Sequence, residues 1–276
     1  MTNTDFRGKA VIVTGASAGI GAAVARAFAQ QGARLMLVAR RKDPLKAIAA
    51  ELERETDVCT MALDVSDVTR CSDLFKKVQY EFGGVHCLVN NAGAHARGLV
   101  SEVDSDDLAQ MIDVNLRAPI VLTRLALEAM ASTGGSIVNV ASIAGCSPVP
   151  GSATYSASKF GLRAFTLALA EELRGSNIHV GAVSPGPVDT GFIMSEIDEV
   201  SDLTFSQPMS TAEEVADAVL RVAAGEETEI KLPASSGRLS TIAYLFPWIS
   251  RALRPGLQAK GRRAKQRYKA RGNAAG

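Results

Sequence analysis

The chain has 276 residues, 47% of them hydrophobic and 21% charged, which suits a globular protein with a sizeable core and argues against disorder. No run approaches the ~18 apolar residues of a membrane-spanning helix, and Met1 to Lys9 is polar, without the apolar core of a secretory signal. The net charge of +1 hides an asymmetry: nine basic and no acidic residues lie between Arg251 and Gly276, leaving 21 basic against 29 acidic residues elsewhere, a body of −8.

Lys9 to Thr14, "KAVIVT", reads as a buried strand, and alanine-rich Ile20 to Gln30 as a helix. "ARLMLVA" (Ala33 to Ala39) is the second strand, followed by a charged helix from about Asp43 to Glu55 with Pro44 in its first turn. "VCTMAL" gives a third strand, Asp67 to Glu81 a third helix and "VHCLVN" a fourth strand. A long helix is expected over Asp106 to Met130, then a strand "SIVNVA", a helix from Ser152 to Leu173 and a strand "IHVGAVS". A helix near Thr211 to Ala223 and the run "TEIKL" complete the series. Strict alternation of strand and helix implies right-handed crossovers and an α/β fold: a doubly wound, Rossmann-like parallel sheet covered on both faces. Residues 1–232 are expected to form one dinucleotide-binding and catalytic domain, and residues 233–276 an apolar then basic C-terminal extension. The four cysteines (Cys59, Cys71, Cys87 and Cys146) contain no C-x-x-C pair, so they are expected to be reduced in a cytoplasmic protein.

The stretch "TGASAGIG" (Thr14 to Gly21) falls at the first strand-to-helix turn, where helix amides are unpaired and the helix end favours an anion. Gly15 suits the tight turn, Gly19 the approach of a pyrophosphate, and Gly21 the packing of helix on strand. Three residues separate the first two glycines, where the common dinucleotide fingerprint has one. At the end of the second strand stand Arg40 and Arg41, with no carboxylate until Asp43. A guanidinium suits a ribose 2′-phosphate, so NADP(H) is preferred over NAD(H).

The pattern T-G-x-x-x-G-x-G resembles the short-chain dehydrogenase/reductase family, and the resemblance runs from about Lys9 to Thr190. It is carried further by "NNAG" (Asn90 to Gly93), "DV" (Asp64, Val65), Asn115 in "MIDVN", Ser142, the "YSASK" of Tyr155 and Lys159, and "PGPVDT" (Pro185 to Thr190). The resemblance implies that Ser17 and Ile20 join the glycine turn in holding the nucleotide. It places Asp64 and Val65 at the adenine, and Asn91, Ala92 and Gly93 beside the adenosine. Pro185, Gly186, Val188 and Thr190 then lie on the nicotinamide side. Lys159 holds the nicotinamide ribose, Asn115 positions a water that links the lysine to solvent, and the protein is a homo-oligomer.

The chemistry follows from residue types. Tyr155 and Lys159 are four apart and share a helix face. A free phenol has a pKa near 10, and a nearby ammonium is expected to lower it, as is the charge of an oxidised nicotinamide. Tyr155 can then pass a proton to a carbonyl oxygen or take one from an alcohol, while Ser142 hydrogen-bonds the same oxygen. His86, His95 and His179 are too isolated to suggest a metal or a triad, so no metal is expected. His86 replaces the family's more frequent aspartate and is expected to weaken a structural hydrogen bond.

Gly191 to Met209 is expected to form a lid, and its apolar residues suggest a hydrophobic ketone or alcohol. Beyond Leu232, "LSTIAYLFPWIS", with Tyr244, Trp248 and a break at Pro247, precedes the basic residues. This tail suggests peripheral contact with an anionic membrane, at its inner surface, rather than nucleic acid. Packing of its apolar part on the body or on a partner subunit is the alternative, with the basic part a solvated tail. The whole chain reads as an NADP(H)-dependent oxidoreductase; the alternative is a cofactor-binding sensor or scaffold without turnover, against which the intact Asn115, Ser142, Tyr155 and Lys159 speak.

Overall fold

The structure, a computed structural model, describes residues 5–275, so Met1 to Thr4 of the polar start and Gly276 lie outside the described residues, as do the side chains of residues 271–275. Seven strands, β1 (Ala10–Thr14), β2 (Arg34–Ala39), β3 (Val58–Ala62), β4 (Cys87–Asn90), β5 (Gly135–Val140), β6 (Ile178–Pro185) and β7 (Glu229–Leu232), form one sheet. Its order is β3-β2-β1-β4-β5-β6-β7, and every neighbouring pair is parallel. The helices are α1 (Gly19–Gln30), α2 (Lys42–Leu52), α3 (Cys71–Phe82), α4 (Ser105–Ile112), α5 (Ala118–Ala129), α6 (Ala153–Glu172), α7 (Gly191–Met194), α8 (Ala212–Ala223), α9 (Ala234–Leu245) and α10 (Pro247–Ala275).

The apolar runs of the strands are explained by two cores. Val11 and Val13 of β1 face one side, where Leu35, Leu37 and Val138 pack against Val24 and Phe28 of α1 and Val215 and Val219 of α8. Ile12 faces the other side, with Met36, Leu88 and Ile137 against Leu74 and Val78 of α3 and Leu122 of α5. Each such side chain contributes about 1.5–3 kcal/mol by burial. Neither face of a central strand is left for water, which is why these strands do not alternate polar and apolar.

Polar side chains fix the strand ends that carry the site. Thr14 Oγ1 donates to Val89 O and accepts from the backbone N–H groups of Asn91 and Ala92, tying the end of β1 to the end of β4. Asn90 Nδ2 donates to Asn139 Oδ1 at 2.8 Å, and Asn139 Nδ2 donates to Thr166 Oγ1 on α6 at 2.8 Å. His86 does not leave its hydrogen bond unmade: Nδ1 accepts from Ala10 N at 3.1 Å, and burial lowers its pKa, which keeps that nitrogen free to accept.

Two expected elements are built differently. The helix over Asp106 to Met130 is interrupted by a wide π-type turn at Asp113–Arg117 that separates α4 from α5. Pro119 has no N–H to offer the Asn115 carbonyl, so the regular i to i+4 bond is unavailable there. The third helix begins with a 3₁₀ turn, Val68–Arg70, before α3. In the C-terminal extension, Pro247 starts α10, a position its fixed φ favours, and the basic segment is helical.

Candidate active site

The carboxyl ends of the strands open into a cleft of about 1130 Å³ beside the point where strand order reverses between β1 and β4. Except for Asn115, the residues expected at the site line this one cleft. Gly15, Ser17, Gly19, Ile20 and Gly21 come from the β1–α1 turn, Arg40 and Arg41 from the end of β2, and Asp64 and Val65 from beyond β3. Asn91, Ala92 and Gly93 follow β4, Ser142 follows β5, Tyr155 and Lys159 come from α6, and Pro185, Gly186, Val188 and Thr190 from the end of β6 and the loop after it. A smaller hollow of about 430 Å³ beside β7, lined by Arg221, Glu227 and Arg238 among others, gathers no comparable set.

The glycine turn fits a dinucleotide. Gly15 has φ +67°, and the residue that opens α1, Ala18, offers its amides no side-chain cap. A Cβ on Gly21 would fall inside contact distance of the Gly15 carbonyl and 2.5 Å from Asn91 Nδ2, the nitrogen that donates to Thr14 O at 2.9 Å. Backbone cannot yield as a side chain does, so Gly21→Ala is expected to destabilise the fold by about 1–3 kcal/mol. Nucleotide affinity should fall with it. Thermal unfolding with and without nucleotide checks both; an unchanged melting point and affinity would contradict the packing.

The arginines at the other end are open to a ligand. Arg40 Nη1 stands 3.9 Å from Asp64 Oδ2, a loose pair with both side chains well exposed.

At the chemical end, Lys159 is buried, donates from Nζ to Val140 O at 2.8 Å, and has its pKa pushed down to about 8 by burial. Nζ lies 6.0 Å from the centre of the Tyr155 ring. The expected lowering of the phenol does not hold for the chain alone: burial raises the Tyr155 pKa, and the hydrogen bond from Ser142 and the charge of Arg97 offset it only in part. Ser142 Oγ also accepts from Ala144 N at 3.1 Å, which fixes its direction. Asn115 is fully buried behind the cleft. Its Oδ1 accepts from Ala94 N at 2.8 Å and its Nδ2 donates to Ala94 O at 2.9 Å and to Ser158 Oγ at 3.1 Å. These bonds hold the wide turn against the strand end beside Lys159.

His95, read from sequence as isolated, lies against the tyrosine instead. Its ring stacks on Tyr155 with centres 4.1 Å apart and planes at 17°. Nε2 lies 3.1 Å from Ser152 Oγ, and Nδ1 lies 2.7 Å from Arg97 Nη1. Arg97 reaches on to the lid, donating to Phe192 O at 2.9 Å and to Glu196 Oε2 at 3.1 Å. The available signal was position: "AHAR" follows "NNAG" directly, in a loop at the carboxyl end of a central strand.

Burial, with the charges of Arg97 and Lys159, pushes the His95 pKa down to about 3. The imidazole is therefore neutral at neutral pH, and no imidazole limb is expected in the rate between about pH 5 and 8. An unfolded histidine takes up a proton below about pH 6.5 that the folded one refuses. The stability contributed by His95 is thus complete above that pH and lost progressively as pH falls toward 3. Melting points across this range, compared with those of His95→Gln, check the sign: the variant's curve should be flatter.

The lid expectation needs one correction. Ile193, Val200 and Phe205 form their own small core with Met209 and with Ala264 and Tyr268 of α10, so part of the lid's apolar composition serves packing. The apolar residues that line the cleft include Leu99, Met111, Val149, Pro150, Phe192 and Leu203.

A parallel, doubly wound sheet with a glycine turn beside its switch point is the architecture of a dinucleotide-binding protein. The chain belongs to the short-chain dehydrogenase/reductase family: the profile described as short chain dehydrogenase matches residues 9–201. Sulfoacetaldehyde reductase 2 of Chromohalobacter salexigens is 39% identical over 187 residues, which cover 67% of this chain and 74% of that protein. An uncharacterised oxidoreductase of Staphylococcus aureus strain MRSA252 is 34% identical over 183 residues, 66% of this chain and 79% of the relative. Among solved structures, a short-chain type dehydrogenase/reductase from Mycobacterium marinum aligns with a TM-score of 0.78 at 27% identity, covering 85% of this chain and 97% of that one.

Proposed function

We propose that this protein is an NADP(H)-dependent oxidoreductase for a hydrophobic ketone or the corresponding secondary alcohol. The observation that carries the reading is the grouping of Ser142, Tyr155 and Lys159 in the cleft that the glycine turn opens. Arg40 and Arg41 would hold the 2′-phosphate, the glycine turn the pyrophosphate, and Asp64 and Val65 the adenine. Asn91 to Gly93 would lie beside the adenosine. Pro185, Gly186, Val188 and Thr190 would lie on the nicotinamide side, and Lys159 would hold the ribose hydroxyls. When bound, the reduced cofactor supplies the hydride.

The chain's own residues do the rest. Ser142 holds the carbonyl oxygen by a hydrogen bond, and Tyr155 gives its phenolic proton to that oxygen. Lys159 returns a proton toward the tyrosine, with Asn115 positioning a water that joins the lysine to solvent. His95 covers one face of the phenol and limits its contact with water. The oxidised cofactor's positive charge favours the phenolate for the reverse reaction.

Residues 1–232 are proposed as the catalytic domain and 233–276 as its extension. The protein is proposed to be a cytoplasmic homo-oligomer, with peripheral contact to an anionic membrane through the extension and no nucleic-acid partner. A panel of ketones and alcohols of increasing chain length, followed by absorbance of the reduced nicotinamide, tests the reading. Turnover with longer apolar substrates at higher kcat/KM supports it, whereas nucleotide binding without turnover of any substrate would indicate a sensor or scaffold.

A further inference from the structure

Residues 233–276 contain no acidic residue and ten basic ones, Arg238 joining the nine from Arg251 onward, while the rest of the chain has 20 basic against 29 acidic residues. Helix α9 and the first half of α10 are packed inside out. α9 buries Ser236, Gly237 and Ser240, its small residues, and leaves Leu239 65% and Leu245 63% exposed. Ile242 and Tyr244 are exposed with them, and at the elbow and along the first half of α10 so are Phe246, Trp248, Leu253 and Leu257. A helix that settles its packing in water does the reverse, turning large apolar groups inward.

The second half of α10 is anchored. Gly261 sits against the Asp202 carbonyl, where a side chain would not fit. Arg262 pairs with Asp202 at 3.2 Å, Lys269 pairs with Asp198, and Lys265 Nζ donates to Asp198 O and Val200 O at 2.9 and 2.7 Å. The rings of Tyr268 and Phe205 lie 5.8 Å apart. These anchors belong to the lid, whose Glu199, Ser201 and Leu203 line the cleft. Exposed Arg251, Lys260, Arg263 and Arg267 make no ion pair among the described residues.

We infer that the α9–α10 elbow is a docking surface for a bilayer bearing anionic phospholipids. Leu239, Ile242, Leu245, Phe246, Trp248 and Leu253 enter the interface, and the free arginines and lysine of α10 meet the headgroups. Aromatic rings with apolar bodies and polar edges suit that depth, as do cations on long apolar stems. No helix among the described residues is long and apolar enough to cross a membrane, so the contact is peripheral. A second copy docked through the same patch would set two segments of strong positive charge face to face, which charge repulsion opposes. The inference deepens the proposed use of a hydrophobic carbonyl, since it brings the lid of the cleft close to the lipid phase.

Trp248 is the chain's one tryptophan, so its emission reports on this elbow alone. The full chain is mixed with vesicles of phosphatidylglycerol and phosphatidylcholine, or of phosphatidylcholine alone, at low and high salt. Expected are a blue shift and co-sedimentation with the anionic vesicles at low salt, weakened at about 1 M salt, where the screening length falls to about 3 Å. The double variant Leu245→Ser, Phe246→Ser, at positions that do not line the cleft, should lose at least about tenfold in vesicle affinity and keep its nucleotide affinity. Three results overturn the inference: no shift with anionic vesicles at low salt, equal binding to neutral vesicles, or a blue shift without vesicles that grows with protein concentration and accompanies a dimer in sedimentation velocity. Failure of the ketone reading would show as absent turnover and leave the Trp248 signal unchanged, so the two are separable.

Discussion

Tyr155→Phe is expected to bind NADPH nearly as the parent does and to lose turnover by about 10²–10⁴-fold, the usual range for removing a general acid. The change deletes one oxygen from a ring whose position is set by other contacts: His95 stacks on its face and Lys159 lies on the same helix. Affinity should therefore survive while proton transfer does not. Isothermal titration for NADPH alongside steady-state rates separates the two effects. Undiminished turnover would remove the phenol from the mechanism, and lost affinity would mean that the hydroxyl also holds the cofactor.

Replacing Arg40 and Arg41 with serine should raise the KM for NADPH about a hundredfold or more and that for NADH little. Each charge-assisted contact contributes about 1.5–3 kcal/mol, and each 1.4 kcal/mol is about tenfold in affinity. Both side chains line the cleft at the end of β2, and Arg40 has only a loose pairing with Asp64 to give up when a phosphate arrives. KM measured for both nucleotides with one substrate decides the matter. Equal loss with both would mean that the arginines do not read the 2′-phosphate.

Much of this architecture was legible because strand runs and glycine turns are local signals. The apolar runs of β1, β2, β5 and β6 lie within a residue or two of their expected bounds, and α8 begins just after Thr211, where a helix is expected, with Thr211 as its cap and Glu214 completing the box. The wide turn at Asn115 was not legible: it depends on a bond network reaching Ala94 and Ser158, residues 21 and 43 positions away. His95 and Arg97 were passed over for the same reason, since their partners Tyr155, Ser152 and Glu196 are distant in sequence. The Tyr155 pKa shows a different limit. A lysine four residues away argues for a lowered value, but burial is a property of the assembled cleft and acts more strongly in the opposite sense. Composition also misled over the lid, where Ile193, Val200 and Phe205 face α10 as well as contributing to the count of apolar residues.

The proposed reaction moves a hydride between NADP(H) and a carbonyl carbon in this cleft. The most direct test uses NADPH carrying deuterium at the transferable position of the nicotinamide, with the best ketone of the panel, and mass spectrometry of the alcohol produced. One deuterium is expected on the carbinol carbon, with formation of the product strongly reduced in Tyr155→Phe. An alcohol without deuterium, or no alcohol although the nucleotide binds, would contradict it.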